Sequence, residues 1–420
     1  MDIKTVKLDN YNLNILKTDS FKSVVIDIRF RNKYIKEEVP ILNFLANMIT
    51  YTNKKYSKRD DFVNAEMDLY DLLLNSSFRT EGNYNFLNIR SVLLNEKFTE
   101  KDMFAKSLEF ISECVFNPNV DKDNFDLETF NIVKRDIDNN IKTFKENLGK
   151  YASVFFFEEV NRDTPYISIL SKEYRDLLDS ITTSSLYTFY LNVIKSFDVD
   201  VIVMGDVDEK ETVELFKKYF KFGKREGSTL EFVKNFKKVT KVSEVIKKDK
   251  SLQSKLNIAY TIDTLTPFEK EYVLPVFNII LGGYTNSRFF KNVREKYSLC
   301  YHISSSVRNS DNLLLIRSDI TKSNYDRVLA CIKKEINGMK SIKEEFLKDA
   351  ISFYKMSCLE GMEEPRDIVD NYYKHLLIGS HLLSEKAIEV EKVSLDDIRG
   401  MVNKLHLHTI HLYGGDTKWL

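Results

Sequence analysis

The chain has 420 residues, with 63 Lys plus Arg against 63 Asp plus Glu and a formal net charge of zero. That length calls for two or more domains. The charge balance argues against nucleic acid as the main partner, because phosphate binding needs a basic surplus, and against electrostatic attraction to a membrane. With 43% hydrophobic residues, 13 Gly and 6 Pro, the composition is that of a folded chain dense in secondary structure. Residues 23–30 alternate apolar and polar side chains and predict a strand. Helices follow over 39–50 and 58–74, strands over 75–80 and 84–93, and helices over 100–115, 123–144 and from 151 to 194. An apolar strand over 199–206 closes this half on Gly205-Asp206.

From 254 onward the same grammar returns. A strand is predicted over 254–262, helices over 267–281 and from 287 to 295, and strands over 300–307 and 313–319. Helices follow over 324–339, 343–363 and from 366 to 404, before a strand over 408–416 that again ends on Gly-Asp. The repeat length is about 200 residues, a scale that marks duplicated domains. Strands beside strands, then runs of helices, predict an α+β fold. The expected domains are 1–220 and 241–420, joined by a linker over 221–240. The lysines flanking that linker are read as a solvated face, since no aromatic stacking pattern accompanies them.

The four cysteines, Cys114, Cys300, Cys331 and Cys358, form no CxxC pair and are expected to be reduced thiols. The N-terminus lacks an apolar targeting core, and no run approaches the roughly 18 apolar residues of a membrane span. A cytoplasmic location is therefore expected.

One segment carries a specific pattern: Leu281-Gly-Gly-Tyr-Thr-Asn-Ser-Arg-Phe-Phe-Lys-Asn-Val-Arg-Glu-Lys-Tyr-Ser-Leu-Cys-Tyr301. Gly282 and Gly283 permit positive φ and a helix stop, and Ser287 is suited to cap the next helix. Arg294 falls near that helix's end and Tyr301 enters the following strand. Residue physics alone reads Arg294 as a partner for Glu295 or a helix terminus, and Tyr301 as packing. Arg288 is expected to be structural. The segment resembles the C-terminal-domain signature of M16 (pitrilysin, insulinase-like) peptidases, and the order of elements extends the resemblance over nearly the whole chain. That resemblance implies two homologous domains in a clam-shell, each a mainly antiparallel sheet with helices packed on one side. It also implies that Arg294 and Tyr301 bind substrate peptide, holding a backbone carbonyl or helping to stabilise the transition state.

Active members of the family carry His-x-x-Glu-His on the first helix of domain one. Two His four apart share a helix face and bind Zn²⁺, with the Glu as general base. Here the matching positions are Asn43, Ala46 and Asn47, in Val39-Pro-Ile-Leu-Asn-Phe-Leu-Ala-Asn-Met48. Amides are weak zinc donors and a methyl takes no proton. The distal carboxylate ligand of the family falls loosely on Asp136. All six His lie at or after residue 302, so no realignment restores the motif. Alternation places His406 and His408 on one strand face and His411 on the other, with strand filling preferred to a metal site. His381 and Glu385 are read as a surface pair four apart.

The resemblance thus implies a catalytically inactive M16 subunit without a cofactor of its own. It is most like zinc-less chains that pair with a zinc-bearing M16 partner as a heterodimer, the Arg/Tyr pair reaching a peptide bound there. The competing readings are a non-enzymatic scaffold and a homodimeric peptide-binding protein.

Overall fold

The computed structural model describes residues 1–223, 231–234, 236 and 241–415. Alternation sets the first sheet. In Ser23–Lys33 (β3), Val24, Ile26, Ile28 and Phe30 recur at every second position and enter one core, while Asp27 and Arg29 take the opposite face. Around it lie β1 (Asp2–Lys7), β2 (Asn12–Lys17), β4 (Leu73–Glu81), β5 (Tyr84–Leu94) and, after a short β6–β7 hairpin (Val120–Asp121, Asn124–Phe125), β8 (Asp198–Gly205). Their order is β1-β2-β8-β3-β5-β4, and only the β2–β8 pair is parallel. The helices up to residue 219 are α1 (Val39–Ile49), α2 (Arg59–Asp68), α3 (Met103–Phe116), α4 (Leu127–Glu146), α5 (Leu148–Val160), α6 (Lys172–Ser180), α7 (Thr183–Ser196) and α8 (Glu209–Tyr219). Leu45, Ile111, Val133, Leu178, Leu186 and Phe216 join the sheet's apolar face in a single core.

The second sheet is built from β9 (Ser243–Lys247), β10 (Ser254–Ile262), β11 (Cys300–Arg308), β12 (Leu313–Ile320) and β13 (Leu405–Gly414), in the order β11-β12-β10-β13-β9. Here too a single pair is parallel, β9 with β13. Position for position this is the first sheet again: β9 answers β2, β13 answers β8, β10 answers β3, β12 answers β5 and β11 answers β4. The duplication expected from the order of elements is therefore present in the strand pairing itself. Helices α9 (Leu274–Asn278), α10 (Tyr325–Gly338), α11 (Glu344–Met362), α12 (Pro365–Ile378), α13 (Leu383–Glu389) and α14 (Leu395–Met401) complete the half. Wider π turns at Glu269–Val273 and Ile279–Gly283 extend α9 at both ends.

Several expectations differ from what is seen. The helix expected over 58–74 stops at Asp68, because Tyr70 and Asp71 adopt left-handed backbone (φ 59° and 54°) before β4 begins. The strands β1 and β2 and the helix α8 were not expected. The chain divides into one unit of Met1–Thr143 with Ile167–Glu231, and another of Phe144–Tyr166 with Phe232–Leu420. The segment containing α5 thus belongs with the second half, not with residues 1–220. There Phe156 and Val160 pack on Ala259, Leu313 and Leu315, the face of the sheet opposite its main core. Burying each of those two side chains contributes about 1.5–3 kcal/mol. Most of the linker expected over 221–240 lies outside the described residues.

Candidate functional site

Pro40 in the first turn and the buried Leu42, Leu45, Met48 and Ile49 make residues 39–49 a helix anchored in the first core. Phe44 stacks on Phe130 of α4, centroids 4.6 Å apart. Asn43 and Asn47 sit four apart on this helix, as the two imidazoles of a zincin would. Their amides are otherwise engaged. Asn43 donates through Nδ2 to the Tyr174 hydroxyl of α6 at 3.0 Å, and Asn47 folds back to donate to the Asn43 carbonyl at 2.7 Å. Ala46 is 2% exposed, within the core. Burial pushes the Tyr174 phenol up, against the pull of its bond to Asn43, so it stays a neutral partner.

Asp136 lies exposed on α4, and among the described residues no polar contact joins it to Asn43 or Asn47. Its neighbour Asp138 pairs with Arg175 of α6. A zinc ion, which the fold family implies, does not fit these residues: the set offers neutral amide oxygens, a methyl and one exposed carboxylate on another helix. Among the described residues no three His, Cys, Asp or Glu side chains converge as metal ligands. Tyr174 was not legible as a neighbour of Asn43, being 131 positions away with no local signal beyond its capped helix start.

The second candidate lies in the other unit. Gly282 and Gly283 are not in positive-φ backbone, contrary to the sequence expectation. They serve close approach instead. A Cβ on Gly282 would lie 2.5 Å from Phe289 and 2.7 Å from the Ser305 hydroxyl, and one on Gly283 2.5 Å from the Asn278 amide. Ser287 accepts from the Phe290 amide at 3.4 Å, a long cap. Arg288 pairs with the buried Glu335 at 2.7 Å, and Asn292 donates to the same carboxylate at 2.8 Å. Arg288 is therefore structural.

The π-wound segment Phe289–Lys296 then reverses. Ser298 takes φ 48°, and the Leu299 amide donates to the Val293 carbonyl at 3.0 Å. The reversal delivers Tyr301 to the start of β11, where the register against β12 steps from Cys300↔Ile320 to His302↔Asp319. Tyr301 is the extra residue of that bulge and is 57% exposed. Arg294 is exposed too, its guanidinium over the Phe290 ring at 4.7 Å. Among the described residues neither Arg294 nor Tyr301 has an ion pair or a hydrogen bond from its side chain. Next to Tyr301 in the chain, the Cys300 thiol is pushed up by burial, against the opposing pull of the Ser318 hydrogen bond and the Arg294 charge.

The histidines of β13 are arranged differently from expectation. A bulge in the β10 pairing, Ala259↔Thr409 then Tyr260↔Leu407, leaves His408 unpaired and resets the alternation. Leu405, Leu407, Ile410 and Leu412 all face the main core, so His406 and His411 share the opposite face. His406 lies 3.0 Å from the Asp263 carboxylate. His381 bonds Glu271 through Nδ1 at 2.7 Å rather than Glu385.

The duplicated α+β units, the degenerate helix and the Gly-Gly to Tyr301 turn define a class. The chain is similar to the M16 peptidase family, and within it to inactive, peptidase-like members. Residues 180–352 match the family described as the Peptidase M16 inactive domain. The chain is 26% identical over 410 residues to the "Probable inactive metalloprotease YmfF" of Bacillus subtilis (strain 168), covering 96% of this chain and 95% of that one. A conserved protein from Enterococcus faecalis V583 shares the fold over 100% of both chains, with a TM-score of 0.92 and 24% identity. A peptidase M16 inactive domain from Pseudomonas fluorescens shares it over 100% of both chains, at a TM-score of 0.78 and 14% identity.

Proposed function

We propose that this chain is the non-catalytic half of a two-chain M16 peptidase. It pairs with a zinc-bearing M16 chain, brings no cofactor of its own, and offers Arg294 and Tyr301 to the substrate peptide. The observation that carries this reading is the state of those two side chains. Both are exposed at one reversal of the chain, and among the described residues neither has an ion pair or a hydrogen bond from its side chain, Arg294 only lying over the Phe290 ring. A guanidinium and a phenol so placed can donate to a backbone carbonyl or to the oxygen on which charge develops, each charged hydrogen bond contributing about 1.5–3 kcal/mol. The peptide itself is held by strand addition to a sheet edge of the zinc-bearing chain.

No helix among the described residues is long and apolar enough to cross a membrane. The four cysteines are free thiols, which supports a cytoplasmic setting. The test is Arg294→Ala with Tyr301→Phe in the reconstituted pair. The expected result is a fall in kcat/KM of tenfold or more with the fold retained by circular dichroism. An unchanged kcat/KM would remove the assigned role and leave a scaffold with the M16 fold, or a homodimeric peptide carrier, in its place.

A further inference from the structure

Arg294 and Tyr301 are exposed, but the group that holds their segment is buried. Glu335 of α10 is 3% exposed. One of its carboxylate oxygens, Oε2, accepts from Arg288 Nη2 at 2.7 Å and from Asn292 Nδ2 at 2.8 Å. Gly338, one turn further along α10, leaves room for the guanidinium: a Cβ there would lie 2.5 Å from Arg288 Nη2. Arg288 by itself matches the charge of the acid. The second donor adds no charge, so what Asn292 contributes is direction.

The winding of Phe289–Lys296 brings both donors to one oxygen. A π winding closes i→i+5 bonds and takes more residues to the turn than the roughly 3.6 of an α-helix, so side chains four apart stand closer to one line along the axis. Arg288, at the segment's entry, and Asn292 are spaced in this way. Asn292 also ends the winding. Its carbonyl accepts from the Tyr297 amide at 3.1 Å, the last wide turn before Ser298 reverses the chain. On the far side of the reversal Asn324 Nδ2, immediately ahead of α10, donates to the Leu299 carbonyl at 3.3 Å. The turn is thus gripped twice from α10 and its cap. Arg294 lies between the two grips, and Tyr301 follows just after the second.

We infer that Asn292, anchored on Glu335, is a positioning residue for the Arg294/Tyr301 pair. It keeps the segment in its wide winding, and so fixes the side from which Arg294 leaves the axis and the point at which the chain turns toward Tyr301. This rests on reading the pair as the contact to substrate peptide, and adds what aims it. Without the Asn292 bond the segment is free to tighten toward an ordinary α winding. Residues beyond 292 then rotate about the axis, while the Arg288–Glu335 ion pair still ties the segment to α10. A misplacement of about 1 Å at a reacting group costs on the order of a hundredfold in rate.

The test is Asn292→Leu, which keeps the size of the side chain, removes the donor and leaves Arg288 on Glu335. In the full chain alone, hydrogen exchange read by mass spectrometry should quicken tenfold or more over residues 296–301, with the urea midpoint little changed. In the reconstituted pair, with this chain at saturating concentration, kcat should fall tenfold or more and KM should change less. Asn292→Gln, which keeps an amide donor on a longer arm, should recover part of that loss. A double-mutant cycle separates aiming from mere support. In the Arg294→Ala, Tyr301→Phe background Asn292→Leu should cost nothing further, whereas a structural defect would add in full. Unchanged exchange over 296–301, or an additive cycle, overturns the inference. Should exchange quicken while Arg294→Ala with Tyr301→Phe leaves turnover untouched, the hold of Asn292 on the turn is upheld and the reading of the pair as a peptide contact falls.

Discussion

Asn43, which the proposed reading sets at a zinc-ligand position, is committed to a neutral partner: its amide links α1 to α6 through Tyr174. Ala46, 2% exposed, makes a change toward the zinc motif costly, because a Glu there would place a carboxylate in the core. The variant Asn43→His, Ala46→Glu, Asn47→His is therefore expected to bind zinc weakly by isothermal titration. Adding Tyr174→Phe to the triple variant should improve binding by freeing the position 43 side chain; tight stoichiometric zinc in the triple variant alone would show the surroundings to be intact. A second residue is legible only in three dimensions. Asp27, fully buried, receives both Arg29 at 2.9 Å and Arg90. Removing it takes a buried carboxylate away from the buried Arg29 and the part-buried Arg90, and Asp27→Ala should cost about 3–5 kcal/mol in urea unfolding. In the sequence these are three charges in two strands. That two of them sit on one strand face followed from alternation, but their common partner required the register of β3 against β5.

At the scale of elements, period-two alternation found β3 and β10 because each has one face in a core, and the Gly-Gly turn found the reversal before β11. It could not find α5's destination. An amphipathic helix declares that it has an apolar face, not which sheet that face meets, and α5 meets the second. Nor could it find the β13 bulge, since a single inserted residue leaves composition unchanged while inverting every later side chain. The bulge has an energetic consequence. It turns His411 beneath α5, fully buried, with neither ring nitrogen hydrogen-bonded among the described residues. Phe156 and Glu159 face it from α5, Thr409 and Tyr413 from its own strand, Asn257 from β10 and Lys247 from β9. Burial, helped by Lys247, pushes its imidazole down to about 4. The unfolded chain therefore binds this proton from the ordinary value of 6.5 downward, while the folded chain resists until about 4. Stability from His411 is full above that window and is lost as pH falls through it, by about 3 kcal/mol in all. Urea midpoints taken between pH 7 and pH 4 should fall more steeply for the parent chain than for His411→Phe. Parallel curves for the two would show that His411 titrates as if exposed.

Taken whole, the molecule repeats one topology and divides its chemistry unevenly between the copies. The first copy carries Asn43, Ala46 and Asn47 on α1, and the second carries the turn that exposes Arg294 and Tyr301. Neither alone is a hydrolytic centre: a guanidinium and a phenol can stabilise charge on an oxygen but cannot generate a nucleophile from water at neutral pH. On the proposed reading the missing function comes from another chain, and this makes the order of metal addition informative. Both chains of a candidate pair are stripped with chelator, one is reloaded with zinc and desalted, and the two are then mixed with a fluorogenic peptide. Reloading the zinc-bearing chain should restore turnover. Reloading this one should restore none, because Asn43, Ala46 and Asn47 retain no ion through desalting. If turnover instead followed the metal carried by this chain, the division of labour between the two chains would be refuted, and a ligand set other than the degenerate helix would have to be sought within it.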